Sequence, residues 1–247
     1  MIATYVLIYL ATISVSALKL PDELPRCNRK DAKLNECIKS AYGPWLVTLA
    51  KGLPEFRAPS IAPLRIESLS IAQGSGPVNL VQNYTDVRYH YYELTTVTNV
   101  EATITDTEFR VRQETFAKNI TFLANYKFDG NILTIPVVGE GKSSIVIGDV
   151  NISMDFIGDV IERDGERYVQ IQTVKVGLNP ATGTYKFENL FGGDDQKAEI
   201  LHRVLNENAI EIFNDVRVGY EESVGQVVKK TINSIFAKVP FKDLFLD

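Results

Sequence analysis

The chain of 247 residues has a formal net charge of -5, with 45% hydrophobic and 10% aromatic residues. That apolar content can bury a substantial core, which excludes a disordered polyelectrolyte, and the acidic balance argues against a partner held by its phosphates, so no nucleic acid is expected. With only two cysteines and two histidines, there are too few soft or imidazole ligands for a metal centre, and neither metal nor cofactor is expected.

In chain order, residues 1–17 carry no charge and end in Val15-Ser16-Ala17, a small-residue pattern suited to cleavage after Ala17. They read as a signal peptide, with 18–247 as one secreted domain. The apolar stretch is near the lower length limit of a membrane span, so a retained anchor is the alternative, and stable membrane insertion is not expected. Three sequons, at Asn83, Asn119 and Asn151, accord with secretion and glycosylation. In an oxidising compartment Cys27 and Cys37 most simply form one disulfide that closes a short loop.

Residues 28–51 show a helical period: Leu34, Cys37, Ile38, Ala41, Trp45 and Leu49 recur at three- and four-residue steps. Gly43-Pro44 is expected to kink or split that helix. From about Ile61 to Phe191 the period becomes two, which predicts a long antiparallel meander, with turns at Asp129-Gly130, Asp164-Gly165 and Asn179 to Gly183. In 119–128 the alternation directs Ile120, Phe122, Ala124, Tyr126 and Phe128 inward and Asn119 outward. In 150–156 it directs Val150, Ile152, Met154 and Phe156 inward and Asn151 outward.

The segment PVVGEGKSS at 136–144 raises the question of a phosphate-binding loop. Such a loop needs a glycine where Pro136 stands and a helix after it, and IVIGDVNISMDF reads as strand. A hairpin turn is the expectation there, and Gly74-Ser75-Gly76 before Pro77 reads as another turn. The alternation slips a register between Ile66 and Leu69 and again between Ile171 and Val174. Bulges produce slips of this kind, and bulges curve a sheet.

From about Gln196 to Lys238 one apolar stripe runs through Leu201, Val204, Leu205, Ile212, Val216, Tyr220, Val224, Val227, Thr231, Ile235 and Val239, and stops at Pro240. One straight helix of that length would span about 64 Å, against about 45 Å for a compact domain of this size. Either the helix breaks near Gly219 or Gly225, or the molecule is elongated around it. A curved sheet wrapped along the helix would satisfy both apolar faces.

Catalytic chemistry finds no footing. A Ser-His-Asp arrangement would have to recruit His90 or His202, and no Gly-x-Ser-x-Gly elbow exists. His202 beside the stripe reads as a partly buried structural residue, and His90 as an outward or sheet-edge one. No catalytic residue is assigned, and the chain is not expected to be an enzyme. The residues that could line a ligand cavity are Trp45, Tyr84, Tyr89, Tyr91, Phe122, Ala124, Tyr126, Phe128, Met154, Phe156, Val204 and Phe213. A packed core uses the same residue types. The inward tyrosines need hydroxyl partners, which a ligand or water could supply.

The stretch LPRCNRKDAKLNECIKSA, then KGLPEFRAPSIAPLRIESLSI, then LFGGDDQKAEILHRVLNENAIEIFNDV closing with FAKVPFKDLF resembles the insect takeout and haemolymph juvenile hormone binding protein family. The resemblance covers the mature chain. It implies an α+β fold in which a long C-terminal helix is wrapped by a strongly curved antiparallel β-sheet that encloses an apolar tunnel. It also implies secretion and a lipid-like ligand in the tunnel; a terpenoid, juvenile-hormone-like or fatty-acid-like molecule is expected as that ligand, and the carrier is expected to be a monomer. The alternatives are a secreted interaction module with a solid core that binds a receptor, and a membrane-surface lipid binder that uses Lys229 and Lys230 at the helix end.

Overall fold

The computed structural model describes residues 18–247; the signal peptide and cleavage site expected at 1–17 lie outside the described residues. No helix among the described residues is long and apolar enough to cross a membrane.

Helix α1 spans Leu34–Lys51 and turns Leu34, Ala41, Leu46 and Leu49 inward. It begins at Leu34 and not at residue 28. The Asn28 and Asp31 side chains accept from the N–H groups of Lys30 and Lys33, holding the preceding residues in turns that compete with helix. Gly43 and Pro44 do not split it. Both face solvent, so water can satisfy the carbonyl of Ser40 that Pro44 cannot bond. The helix stops at Gly52, whose φ of 79° and close approach to Ser60 suit a residue without Cβ.

Eight strands form one sheet: β1 (Leu64–Ile71), β2 (Val78–Leu80), β3 (Gln82–His90), β4 (Thr96–Ile104), β5 (Glu108–Ile132), β6 (Ile135–Arg163), β7 (Glu166–Asn179) and β8 (Thr182–Phe187). All pairings are antiparallel, and the order β1-β3-β5-β6-β7 is joined by β2 and β4 on β5 and by β8 on β6. The hub is the hairpin of β5 with β6, which pair from Glu108 with Asp159 to Ile132 with Ile135.

That hairpin corrects two turn expectations. The chain reverses at Leu133-Thr134, so Asp129-Gly130 lies within β5 and 136–144 within β6. The glycines of 136–144 mark close backbone approach, since a Cβ on Gly141 would lie 2.6 Å from the Glu188 carbonyl oxygen. The turns at Asp164-Gly165, between β6 and β7, and at Pro180-Ala181, between β7 and β8, fall where the sequence places them.

A fully extended 25-residue strand would span about 80 Å, far more than the domain allows, so the sheet curls without closing. The β6–β7 register shifts between Ile157 and Gly158, where Gln172 is the extra residue, at the predicted slip between Ile171 and Val174. The slip between Ile66 and Leu69 lies opposite Asp86, at φ 49°, where β3 shifts register on β5. Along β5 the inward set passes from Phe109, Val111 and Ala117 to Ile120, Phe122, Ala124, Tyr126 and Phe128, all buried.

The C-terminal stripe forms two helices, α2 (Asp195–Glu207) and α3 (Ala209–Phe236). The break falls at Asn208 and not at Gly219 or Gly225. Asn208 leaves helical geometry at φ -114° and ψ 24°, and its side-chain amide joins its own N–H in donating to the Val204 carbonyl. The two glycines instead let α3, about 42 Å long, lie against both edges of the curl. A Cβ on Gly219 would meet Ile71 of β1 at 2.5 Å, and one on Gly225 the Val174 carbonyl of β7 at 2.7 Å. The sheet therefore wraps the helix, and Ile212, Val216, Tyr220, Val224, Thr231 and Ile235 are buried against it.

A last helix, α4 (Phe241–Leu244), follows Pro240. The tail returns to the N-terminal segment, where Leu246 N–H donates to the Cys27 carbonyl and Arg29 N–H to that of Leu246. The guanidiniums of Arg29 and Arg167 flank the Phe241 ring, with 5.2 and 5.1 Å to its centroid, and both bond Asp106.

Candidate functional site

The interior is open at one end of α3. A cavity of about 210 Å³ lies between α1, the C-terminal turns of α3 and the concave face of the sheet. Helix α1 supplies Ile38, Ala41, Tyr42, Trp45, Leu46 and Leu49, one face at helical spacing. The opposite wall is Val228, Thr231, Ile232 and Phe236 of α3. The sheet contributes Leu64, Ile104, Phe109, Val111, Gln113 and Phe156, and the chain ends contribute Cys27, Leu244 and Phe245.

Cys27 and Cys37 are joined as a disulfide. It anchors the N-terminal segment to α1 and places Cys27 in the cavity wall, so the bond is part of the site's surface.

The electrostatics of the wall are neutral throughout, because no lining residue is ionisable apart from two tyrosines, Tyr42 and Tyr92. Burial raises both phenol pKa values above the usual range, so both hydroxyls stay protonated. The Tyr42 hydroxyl meets Thr95 Oγ1 at 2.6 Å, and that of Tyr92 reaches the Met154 sulfur at 3.4 Å, a weak acceptor. With Gln113 and Thr231 these are the polar points of an otherwise apolar wall. Such a surface can remove apolar area from water and orient a neutral polar group, but it offers no counter-ion.

Of the residues singled out from the sequence, Trp45 and Phe156 line this cavity. Tyr91 does not: it is 49% exposed, because its backbone turns left-handed at φ 70° and takes the side chain out of the strand alternation. Val204 is half-buried on α2, outside the cavity wall. Tyr84, Tyr89, Phe122, Ala124, Tyr126, Phe128, Met154 and Phe213 are buried but lie outside the cavity lining.

The inward tyrosines find partners in the protein. Gln82 Oε1 accepts from Tyr84 at 2.8 Å and from Tyr220 at 2.9 Å, Tyr126 donates to the Glu188 carbonyl, and Tyr185 to that of Ala209. Burial pushes the Tyr126 phenol up to about 12.

His202 is structural, as its place beside the stripe suggests. Its Nε2 accepts the Phe187 N–H at 2.9 Å, and burial, with the charge of Lys186, holds its pKa below the ordinary value. His90 ends β3, half-buried. Asn83, Asn119 and Asn151 are all exposed.

The sequence reading missed Tyr42, Tyr92, Phe236 and Phe245. For the first, the signal was present in the α1 periodicity, one residue beyond Ala41. For the others, wall membership depends on how the ends of the curl meet.

Comparison with known proteins agrees with this geometry. The chain is similar to the circadian clock-controlled protein daywake of Drosophila melanogaster and of Drosophila yakuba, 21% identical to each over 231 residues, or 91% of this chain and 88% of each relative. Its fold matches the crystal structure of Epiphyas postvittana Takeout 1 with a TM-score of 0.80 at 19% identity, over 90% of this chain and 99% of that one. The sequence model described as haemolymph juvenile hormone binding protein matches residues 5–246. The chain belongs to the haemolymph juvenile hormone binding protein family, whose members are haemolymph carriers of hydrophobic ligands.

Proposed function

We propose that this protein is a secreted, monomeric carrier that holds one neutral, apolar small molecule in the cavity between α1 and the end of α3. The observation that carries the reading is the wall itself: apolar side chains on every side, hydroxyl and amide groups at a few points, and no charged side chain. A ligand gains by leaving water, since each buried methylene contributes about 0.8 kcal/mol. An ionised carboxylate would be desolvated there without a partner, at a cost of several kcal/mol. Within the terpenoid and acyl class, esters, alcohols and aldehydes therefore suit the site better than free acids.

At about 210 Å³ the space lies below the roughly 300–1,000 Å³ of drug-sized pockets, which favours compact ligands or outward movement of half-buried Trp45, Phe236 and Phe245. The protein acts by binding and performs no catalysis.

The test is secretion from insect cells, organic extraction of the purified protein, and thermal melts with matched esters, alcohols and acids. A neutral apolar compound in the extract, and melt shifts larger for esters than for their acids, support the reading. A protein that yields no apolar extract and whose melting no ligand shifts is not a carrier.

A further inference from the structure

The apolar cavity runs along the last turns of α3, from Val228 to Phe236, whereas the buried rings of Tyr84, Phe122, Phe213 and Tyr220 pack together earlier along the helix. Just behind the lining at that end stands Tyr89, buried and beside the cavity residue Leu64. In the β1–β3 ladder Leu64, a cavity residue, sits directly opposite Tyr89, so the two side chains share the inner face. The Tyr89 hydroxyl spans to Ser223 Oγ of α3 at 3.4 Å, five residues before Val228, the first cavity residue of that helix.

Behind it the rings are stacked edge to face. Tyr89 meets Phe122 at 5.2 Å between centroids; Phe122 meets Tyr84 at 4.9 Å and Tyr220 at 5.6 Å. The hydroxyls of those last two converge on Gln82, which ties the stack to both sheet and helix. Tyr84 is 1% exposed and Phe122 4%. Rings packed and bonded in this way have no room to yield by a rotamer change alone.

We propose that Tyr89, backed by Phe122 and the Gln82–Tyr84–Tyr220 triangle, is a fixed end wall that sets the maximum length of ligand the cavity accepts. The proposal rests on the carrier reading above. A chain that reaches the wall gains nothing from further methylenes, which must stay in the mouth or displace buried rings.

The experiment is a homologous series of straight-chain primary alcohols, from octanol to eicosanol, titrated against the secreted protein by displacement of a fluorescent alkyl probe. In the wild type, affinity should climb by about fourfold per methylene and then stop at a cutoff length. Tyr89→Leu should move the cutoff to longer alcohols and tighten those beyond the wild-type limit at least tenfold. Phe122→Leu behind it should move the cutoff the same way, which keeps the test available if Tyr89→Leu does not fold. Phe187→Leu, in the aromatic core on the far side of Phe128 from Tyr84, should lower the melting temperature without moving the cutoff.

A wild-type affinity that climbs through eicosanol without a cutoff overturns the wall. So does a cutoff that neither Tyr89→Leu nor Phe122→Leu moves, or one that Phe187→Leu moves equally. If no alcohol displaces the probe from the wild type, the carrier reading fails and the wall with it, an outcome distinct from a cutoff that stays put.

Discussion

Filling the cavity from α1 separates an open interior from a solid one. Ala41 is 5% exposed and its methyl lies in the cavity wall, so Ala41→Trp places an indole where the ligand would sit. A neutral ligand of about fifteen heavy atoms, at about 0.4 kcal/mol per atom, binds with about 6 kcal/mol, a dissociation constant of tens of micromolar. At tenfold excess over that constant it stabilises the wild type by about 1.4 kcal/mol, which for a domain of this size is a rise of roughly 3–6 °C in melting temperature. Ala41→Trp should reduce that rise to under about 1 °C while leaving the ligand-free melt close to that of the wild type. Ala124, buried on β5 opposite Ser143 and outside the cavity lining, is the control. Ala124→Trp overpacks the core, costing about 1–3 kcal/mol, and should keep the ligand shift. The assay is differential scanning fluorimetry with and without ligand. If Ala41→Trp retains the full shift, or if Ala124→Trp alone abolishes it, the cavity has been placed at the wrong end of α3.

Replacing Cys27 and Cys37 together with serine releases a loop of sequence separation 10 and should cost about 3 kcal/mol; since Cys27 is in the wall, titration should also show weaker ligand binding. Asp215→Ala removes the carboxylate that accepts from the N–H groups of Gly76 and Val78, both at 2.8 Å. The expected loss is about 2 kcal/mol, with faster hydrogen exchange confined to residues 74–78. His202 has a folded pKa below its unfolded value, so the unfolded chain binds the extra proton first. Its stabilisation is complete above the unfolded pKa of about 6.5 and is lost as pH falls through the folded value. Melts from pH 7.5 down to 5 should show a steeper decline for wild type than for His202→Gln, and equal slopes would contradict the lowered pKa that burial gives His202. Asn83, Asn119 and Asn151 are exposed, so glycopeptide mapping of secreted protein should find carbohydrate on these strands; unmodified, inaccessible Asn119 would contradict the outward face of β5.

Much of the fold was legible because local periodicity reports which face of an element is wet. The alternation at 119–128 and 150–156 placed Ile120 to Phe128 and Val150 to Met154 inward, and all are buried. The register slip between Ile171 and Val174 located a real bulge, since an extra residue flips the face of all that follow. The stripe from Leu201 to Val239 and its stop at Pro240 gave the central helices for the same reason. Where local sequence misled, a long-range contact had overridden a local signal. Gly219 and Gly225 read as helix breakers, yet they are where α3 meets Ile71 and Val174, while the break went to Asn208, whose amide bonds back to Val204. The glycines of 136–144 read as a turn, yet serve the approach of the segment around Glu188 to β6.

The division between core and cavity belonged to tertiary structure alone. Trp45 and Phe122 are both apolar and both read as inward from the period of their own elements, and nothing in their local sequence separates them. What separates them is the partner across the curl: Phe122 is met by Tyr84, Tyr89 and Tyr220, whereas the rings nearest Trp45 stand back around a space. Sequence fixes which side chains leave water, because that depends on the period of one element. Whether the volume they enclose is filled depends on how far apart α1, α3 and the two edges of a curved sheet come to rest, and only the folded chain sets that distance.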